Sequence, residues 1–225
     1  TDYNPVYLTA ETGNLKLQKE EIDMKNKIIT ISREFGSGGR TIGKQLAKKL
    51  DIPYYDADII QLTARESGMA EPFIRTQEEA LAHANTLINS FSARDQYGMG
   101  IQDHLWRIQR KVIFDLANKS NCIIIGRCAD YLLFHLHHCL RVFIHADFEE
   151  RMERILKVYG ETSESPKKRL LDKDFRRKAY YEFYTEQKWG DAKNYDIMLN
   201  SGTLGLNGCT NILASVWADD WQDGK

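Results

Sequence analysis

Between Ser32 and Thr41 the chain reads Ser-Arg-Glu-Phe-Gly-Ser-Gly-Gly-Arg-Thr, with three glycines in four positions. A plain turn needs one or two glycines, so three ask for more backbone freedom than a change of direction requires. The stretch follows the β-branched run Ile28-Ile29-Thr30-Ile31. It leads into a segment whose Ile42, Leu46 and Leu50 share one helical face while Lys44 and Lys48 turn away. A glycine-rich passage from strand to helix lets successive N–H groups converge on an anion, and the helix N-terminus adds its positive end. Gly36, Ser37, Gly38, Gly39, Arg40 and Thr41 therefore read as a phosphate cradle. The plain alternative is a flexible strand–helix connection.

Phosphate chemistry also needs cations, and these are concentrated locally. Ser165 to Lys178 carries seven of them against Asp172 and Asp174, inside a chain whose net charge is -1. The ordinary reading is a solvated helix face; the functional one is a mobile element closing on phosphates. Arg127 follows Gly126 at the end of the apolar run Cys122 to Ile125. Its planar fork suits bidentate phosphate recognition, although pairing with Asp130 is the competing use. Asp56, after Pro53-Tyr54-Tyr55, is either a site carboxylate or a helix N-cap. Asp147 reads as a cap, and Arg151 and Arg154 as partners of Glu150 and Glu153 or as residues reaching a hinge. His135, His137 and His138 lack the companion ligands of a zinc site and read as packing or solvated residues. Tyr180, Tyr181, Phe183, Tyr184 and Trp189 lie on one predicted helix, where core packing explains them before base stacking does.

The elements that must position these residues alternate. Buried parallel strands are expected at Ile28–Ile31, Cys122–Ile125 and Val142–Ile144, with a fourth at Asp196–Leu199 ending in the turn-like Asn200-Ser201-Gly202. Helices are expected after the glycine loop, over Asp58–Ser67, roughly Pro72–Phe91, Ile101–Asn118, from Asp147, and from the Ser165-Pro166 cap pair to about Trp189. Such alternation gives a doubly wound parallel sheet with its ligand at the carboxyl ends of the strands. At 225 residues, with 42% hydrophobic and 28% charged side chains, the chain has the composition of a folded globular protein and the length for one domain with an inserted subdomain. The near-zero net charge gives no bulk attraction to nucleic acid or anionic membrane. Four cysteines without a C-x-x-C pair, short apolar runs and no apolar leader between Thr1 and Asp23 give the expectation of a reduced, cytoplasmic protein. Residues 1–26 read as a polar, acidic arm, either disordered or carrying a short helix from Leu15 to Ile22.

The segment Ile28–Asp56, "IITISREFGSGGRTIGKQLAKKLDIPYYD", closely resembles the cytidylate-kinase-like family of P-loop kinases. Further matches follow in order: "IIIGRCADYLL", "RVFIHADFEERMERI" and "DKDFRRKAYYEFYTEQKWGDAKNYDIMLNSGTLG". The resemblance runs from Ile28 to about Leu213. It implies a three-layer α/β P-loop fold, a parallel five-stranded sheet flanked by helices, with a helical lid over about 160–190 and a monophosphate-binding subdomain over about 66–102, all within 27–225. It implies ATP- and Mg²⁺-dependent phosphoryl transfer to a small phosphate acceptor, most plausibly CMP or dCMP, with no nucleic-acid or membrane partner. Region 66–102 matches ordinary cytidylate kinases poorly, so a different small acceptor is the alternative, as is a nucleotide sensor without turnover. The oligomeric state is not legible.

The loop departs from the standard pattern G-x-x-x-x-G-K-[ST] in having no lysine. With Gly38 as the last glycine, Arg33 stands at the first, Gly39 at the lysine, and Thr41 matches the threonine one residue later in cytidylate kinases. With Gly39 as the last, Arg40 replaces the lysine and Thr41 takes the Mg²⁺-binding hydroxyl. In either register Arg33 or Arg40 must supply the missing charge. The likeness of Asp174-Phe175-Arg176-Arg177 to the family's lid D-x-x-R marks Arg177, then Arg176, as catalytic arginines, with Arg169 a further candidate for the substrate. The matching Gly-Arg places Arg127 on the acceptor phosphate, and Asp56 faces the acceptor or Mg²⁺.

Overall fold

The computed structural model describes residues 25–74, 76 and 100–219. In chain order these form β1 (Ile28–Arg33), α1 (Gly39–Leu50), β2 (Tyr54–Tyr55), α2 (Asp58–Ser67), α3 (Ile101–Lys119), β3 (Cys122–Ile125) and α4 (Ala129–Leu132). Then come β4 (Cys139–His145), α5 (Phe148–Tyr159), α6 (Pro166–Thr185), a 3₁₀ turn (Ala192–Asn194), β5 (Ile197–Asn200) and α7 (Ser201–Ala218). The five strands form one sheet in the order β2-β3-β1-β4-β5. Every pairing is parallel.

The strands are apolar on both sides because both sides are covered. Ile29, Ile31, Ile123, Ile125, Leu140, Val142 and Ile144 pack with Ile42 and Leu46 of α1 and Cys209 and Leu213 of α7. The alternate residues Ile28, Cys122, Ile124 and Cys139 pack with Val112, Ile113 and Leu116 of α3, Leu132 of α4 and Tyr181 of α6. Each fully buried isoleucine contributes roughly 2 kcal/mol from area removed from water. Strand β1 is central, and its neighbours β3 and β4 lead away in opposite directions. Its carboxyl end is therefore the crevice where an α/β sheet receives a ligand.

The described structure changes several expected boundaries. Strand β4 is seven residues, not three, because Arg141 interrupts the apolar run without leaving the strand: its guanidinium bonds Asp196 at 2.7 Å beside β5. Asn200-Ser201-Gly202 is not a turn. Asn200 is the N-cap of α7, its side chain accepting from the N–H groups of Gly202 and Thr203. Helix α7 escapes a periodicity reading because Gly202, Gly205 and Gly208 dilute its apolar pattern, and at Gly205 the backbone breaks helical geometry at φ 69°. Helix α6 begins at the expected Ser165-Pro166 cap but stops at Thr185, where Glu186 turns left-handed at φ 55°. Trp189 then packs edge-on against Phe143 at 5.4 Å. The expected Leu15–Ile22 helix, most of Pro72–Phe91 and most of the 66–102 subdomain lie outside the described residues.

The plain packing assignments hold where they can be read. Trp106 stacks on Tyr184 at 4.2 Å, Gln109 donates to the Tyr180 hydroxyl, and His135 packs between Phe114 and Phe134. None of the four cysteines forms a disulfide, and all four are buried. No helix among the described residues is long and apolar enough to cross a membrane.

Candidate active site

The loop from β1 to α1 is shaped by glycines that other residues approach closely. Gly36 and Gly38 are left-handed at φ 79° and 83°. A Cβ on Gly36 would come within 2.8 Å of the Arg151 carbonyl oxygen, and one on Gly38 would strike Leu206 of α7. Gly38 is the N-cap of α1, and no acidic residue stands in the helix's first turn. The first N–H groups of a helix have no intrahelical acceptor. With no carboxylate competing for them, those at Gly39, Arg40 and Thr41 suit an external anion. By contrast α5 carries Glu149 and Glu150 in its first turn.

Four arginines converge beside this loop. Arg33 ends β1, and its guanidinium lies so close over Gly126 that a Cβ there would collide with Nη1. Asp56 is 3.8 Å away from it. Burial lowers the Arg33 pKa to about 9; Arg177, Arg127 and Arg40 push the same way, with Asp56 alone opposing. Arg40 projects from α1 onto Asp56. Burial would weaken its charge, but the bond to Asp56 prevails and its pKa rises. Arg177 of α6 donates to the Arg33 carbonyl at 3.1 Å and lies over the Phe35 ring at 5.5 Å. Its pKa is lowered, by burial first and by Arg40 among its neighbours, while Asp174 and Asp56 oppose. Arg127 follows Gly126 with φ 61°, and Cys128 with φ 54°. Two successive non-glycine residues in the left-handed region cost on the order of 1 kcal/mol each, a conformation found at ligand sites. Among the described residues Asp56 faces Arg33 and Arg40, and Asp174 lies 3.5 Å from Arg177.

A second layer holds the loop in place. Arg151, 8% exposed, donates to the Phe35 carbonyl at 3.2 Å, pairs with Asp174 and approaches Glu34 at 3.4 Å. Asp174 in turn accepts the Phe35 N–H at 2.6 Å, so α6 is tied directly to the loop. Burial raises the Glu34 pKa against the pull of Arg151. Arg154 donates to the Gly36 carbonyl at 2.8 Å and to Ser201, whose hydroxyl bonds the Ser37 carbonyl. Arg151 and Arg154 read as partners of Glu150 and Glu153 or as residues reaching a hinge; the fold turns both onto backbone oxygens of the loop. Nothing in the local sequence could reveal this, because the partners lie 116 and 118 residues away.

Other expected residues sit differently. Arg176 pairs with Asp172 at 2.8 Å one turn back on α6. Arg169 donates to the Gly160 carbonyl at the end of α5 and so braces the α5–α6 connection. Asp56 does not cap α2: the N-cap position is Ala57, with no side-chain bond. The arginines hold the Asp56 carboxylate instead. Asp147 occupies the N-cap position of α5 but its side chain makes no capping bond. Thr41 lies exposed in the first turn of α1.

A parallel five-stranded sheet with a glycine loop passing from its central strand into a helix defines the α/β P-loop class. Within that class, residues 28–203 match the model of the cytidylate kinase-like family, and the chain belongs to that family. It is 28% identical over 191 residues to the cytidylate kinase of Archaeoglobus fulgidus, covering 82% of this chain and 91% of that protein. It is 24% identical over 192 residues to the cytidylate kinase of Methanocaldococcus jannaschii, covering 84% and 96%. A solved protein of Eubacterium ventriosum superposes with a TM-score of 0.63 at 24% identity, over 89% of this chain and all of that one. A shikimate kinase of Bacteroides thetaiotaomicron superposes at 0.51 and 15% identity, over 86% and 99%. These structural likenesses speak to the fold.

Proposed function

We propose that this protein transfers the γ-phosphoryl group of ATP to a nucleoside monophosphate, with CMP or dCMP the acceptor. The observation that carries the proposal is the convergence of Arg33, Arg40, Arg127 and Arg177 around the loop, close enough that the other three each lower or oppose the charge of Arg33. A phosphoryl group in flight spreads negative charge over its oxygens, and catalysis is mainly positioning and neutralisation of that charge. The cytidylate kinase relatives support the acceptor.

The loop from Gly36 to Thr41 binds the β-phosphate through its N–H groups and the α1 terminus. Arg33 stands in for the absent lysine. Arg127 holds the acceptor phosphate. Arg177, with Arg176 behind it, neutralises the charge that develops as the acceptor oxygen bonds to the γ-phosphorus and the bond to the bridging oxygen breaks. The products are ADP and a nucleoside diphosphate. Thr41 provides an exposed hydroxyl for Mg²⁺, the ion that screens the charge of the nucleotide's phosphates when bound. Asp56, engaged by arginines, keeps Arg33 and Arg40 in place until phosphate oxygens take over those contacts.

The test is ATP turnover with Mg²⁺ against a panel of nucleoside monophosphates. Transfer to CMP or dCMP supports the reading. Transfer to another small acceptor keeps the phosphotransferase and corrects the substrate; ATP binding with no transfer to any acceptor marks a sensor.

A further inference from the structure

Phe35 stands in the loop between β1 and α1, and its backbone is already held at both ends. Its N–H donates to Asp174 Oδ1 at 2.6 Å, and its carbonyl accepts from Arg151 at 3.2 Å. Those two bonds ask nothing of the side chain, since any residue but proline supplies the same groups. The half-buried ring meets residues from both helices that follow β4. The Tyr159 ring of α5 stacks on it at 5.8 Å with the planes 17° apart, and the Arg177 guanidinium of α6 lies 5.5 Å from its centroid. Tyr159 closes α5 directly before Gly160, whose φ of 69° turns the chain toward α6. One loop side chain thus joins the two sides of the α5–α6 connection.

What the ring offers Arg177 is specific. Arg33 and Arg40 carry the same charge beside the same loop, so an unrestrained Arg177 would swing toward water. Its other fixed points are the Arg33 carbonyl at 3.1 Å and Asp174 at 3.5 Å. Asp174 is already engaged by Arg151 and by the Phe35 N–H. An aromatic face attracts a cation without neutralising it. A carboxylate in that place would cancel the charge that transfer needs, and an aliphatic side chain would fill the space and attract nothing. We propose that Phe35 is a positioning residue for phosphoryl transfer, its ring backed by Tyr159 and holding the Arg177 guanidinium beside the glycine loop. The proposal rests on the kinase reading. It makes the loop that receives the donor phosphates also the loop that aims the arginine of α6.

The experiment compares wild type, Phe35→Leu, Phe35→Tyr, Arg177→Ala and the double variant Phe35→Leu with Arg177→Ala, using the acceptor that the wild type phosphorylates. Phe35→Leu keeps most of the apolar volume and removes the ring. Its kcat should fall about fivefold to thirtyfold, the scale of a partly desolvated cation–π contact. The Kd for ATP should stay within about threefold. Phe35→Tyr retains the ring and should keep kcat within about threefold of wild type. In the Arg177→Ala background, Phe35→Leu should change kcat by less than about twofold, because the ring then has no cation to hold. A generally loosened loop would lower kcat alike in both backgrounds, and that additive result overturns the proposal. So does an unchanged kcat in Phe35→Leu, or a fall in Phe35→Tyr equal to that in Phe35→Leu. A loss confined to ATP binding overturns it as well, making Phe35 a nucleotide contact. If the wild type transfers phosphate to no acceptor, the kinase reading fails, and the tie is judged by urea unfolding of the same cycle. The midpoint of the double variant should then fall by less than the sum of the two single falls; strict additivity overturns the tie.

Discussion

The Cβ of Arg33 stands where a side chain at Gly39 would begin: a Cβ built on Gly39 lies 2.7 Å from it. Gly39 is the first residue of α1, and Arg33 is the last of β1. The loop thus has a glycine where the helix opens, with the stem of Arg33 beside it and the guanidinium carried on to Gly126.

This relationship has a direct consequence for restoring a lysine. Gly39→Lys alone forces two side chains into one volume and is expected to cost about 1–3 kcal/mol, as overpacking does. The double change Arg33→Gly with Gly39→Lys relieves the clash and is expected to recover stability and part of the turnover. Denaturant midpoints and kcat for the two variants check it. A stable, active Gly39→Lys single variant would show that the space is shared after all.

Arg177 is expected to act on charge that exists only during transfer. Arg177→Ala should lower kcat by about 10²–10³-fold, the cost of losing one charge-stabilising group, while ATP binding changes little. Isothermal titration beside steady-state kinetics separates the two. Equal losses would make Arg177 a binding residue only.

Arg151 is expected to matter for the fold and only indirectly for chemistry. Arg151→Ala strands the carboxylates of Asp174 and Glu34 in a partly buried setting and removes a bond to the loop. A loss of about 3 kcal/mol is expected, as when one member of a buried ion pair is deleted. Thermal unfolding reads this directly, and a shift of under a degree would mean the pair is well solvated.

The pH dependence of stability follows from Asp130. Its folded pKa, about 6, lies above its ordinary value of about 3.9. A raised carboxyl pKa means that the fold prefers the protonated form. The contribution is full below about pH 4 and is lost as the pH rises through 6. Asp130→Asn removes the penalty, so the variant should be more stable than wild type at pH 8 by on the order of 1–3 kcal/mol. The difference should shrink between pH 6 and 4. Urea unfolding across that range measures it, and a variant less stable at pH 8 would contradict the sign.

Much of this protein is legible along the chain because local physics writes it there. The β-branched runs at Ile28 and Cys122 can only be strands covered on both sides. The glycine density between Gly36 and Gly39 marks a backbone that must approach an anion, and Ser165-Pro166 opens a helix. Gly126-Arg127 and Asp174 to Arg177 carry charge at places a sheet edge and a helix would present. Tertiary structure decided what these local features touch. Gly39 leads α1 and lies against the Cβ of Arg33, a contact the sequence does not show. Asp56 binds arginines instead of capping a helix, because β2 ends beside α1. Arg151 and Arg154 grip the loop, and Ser32 donates to Asp130, across separations of 98 to 118 residues where spacing rules carry no information. The chain fixes which backbone can form; which charges meet is set by the order in which the sheet assembles its strands.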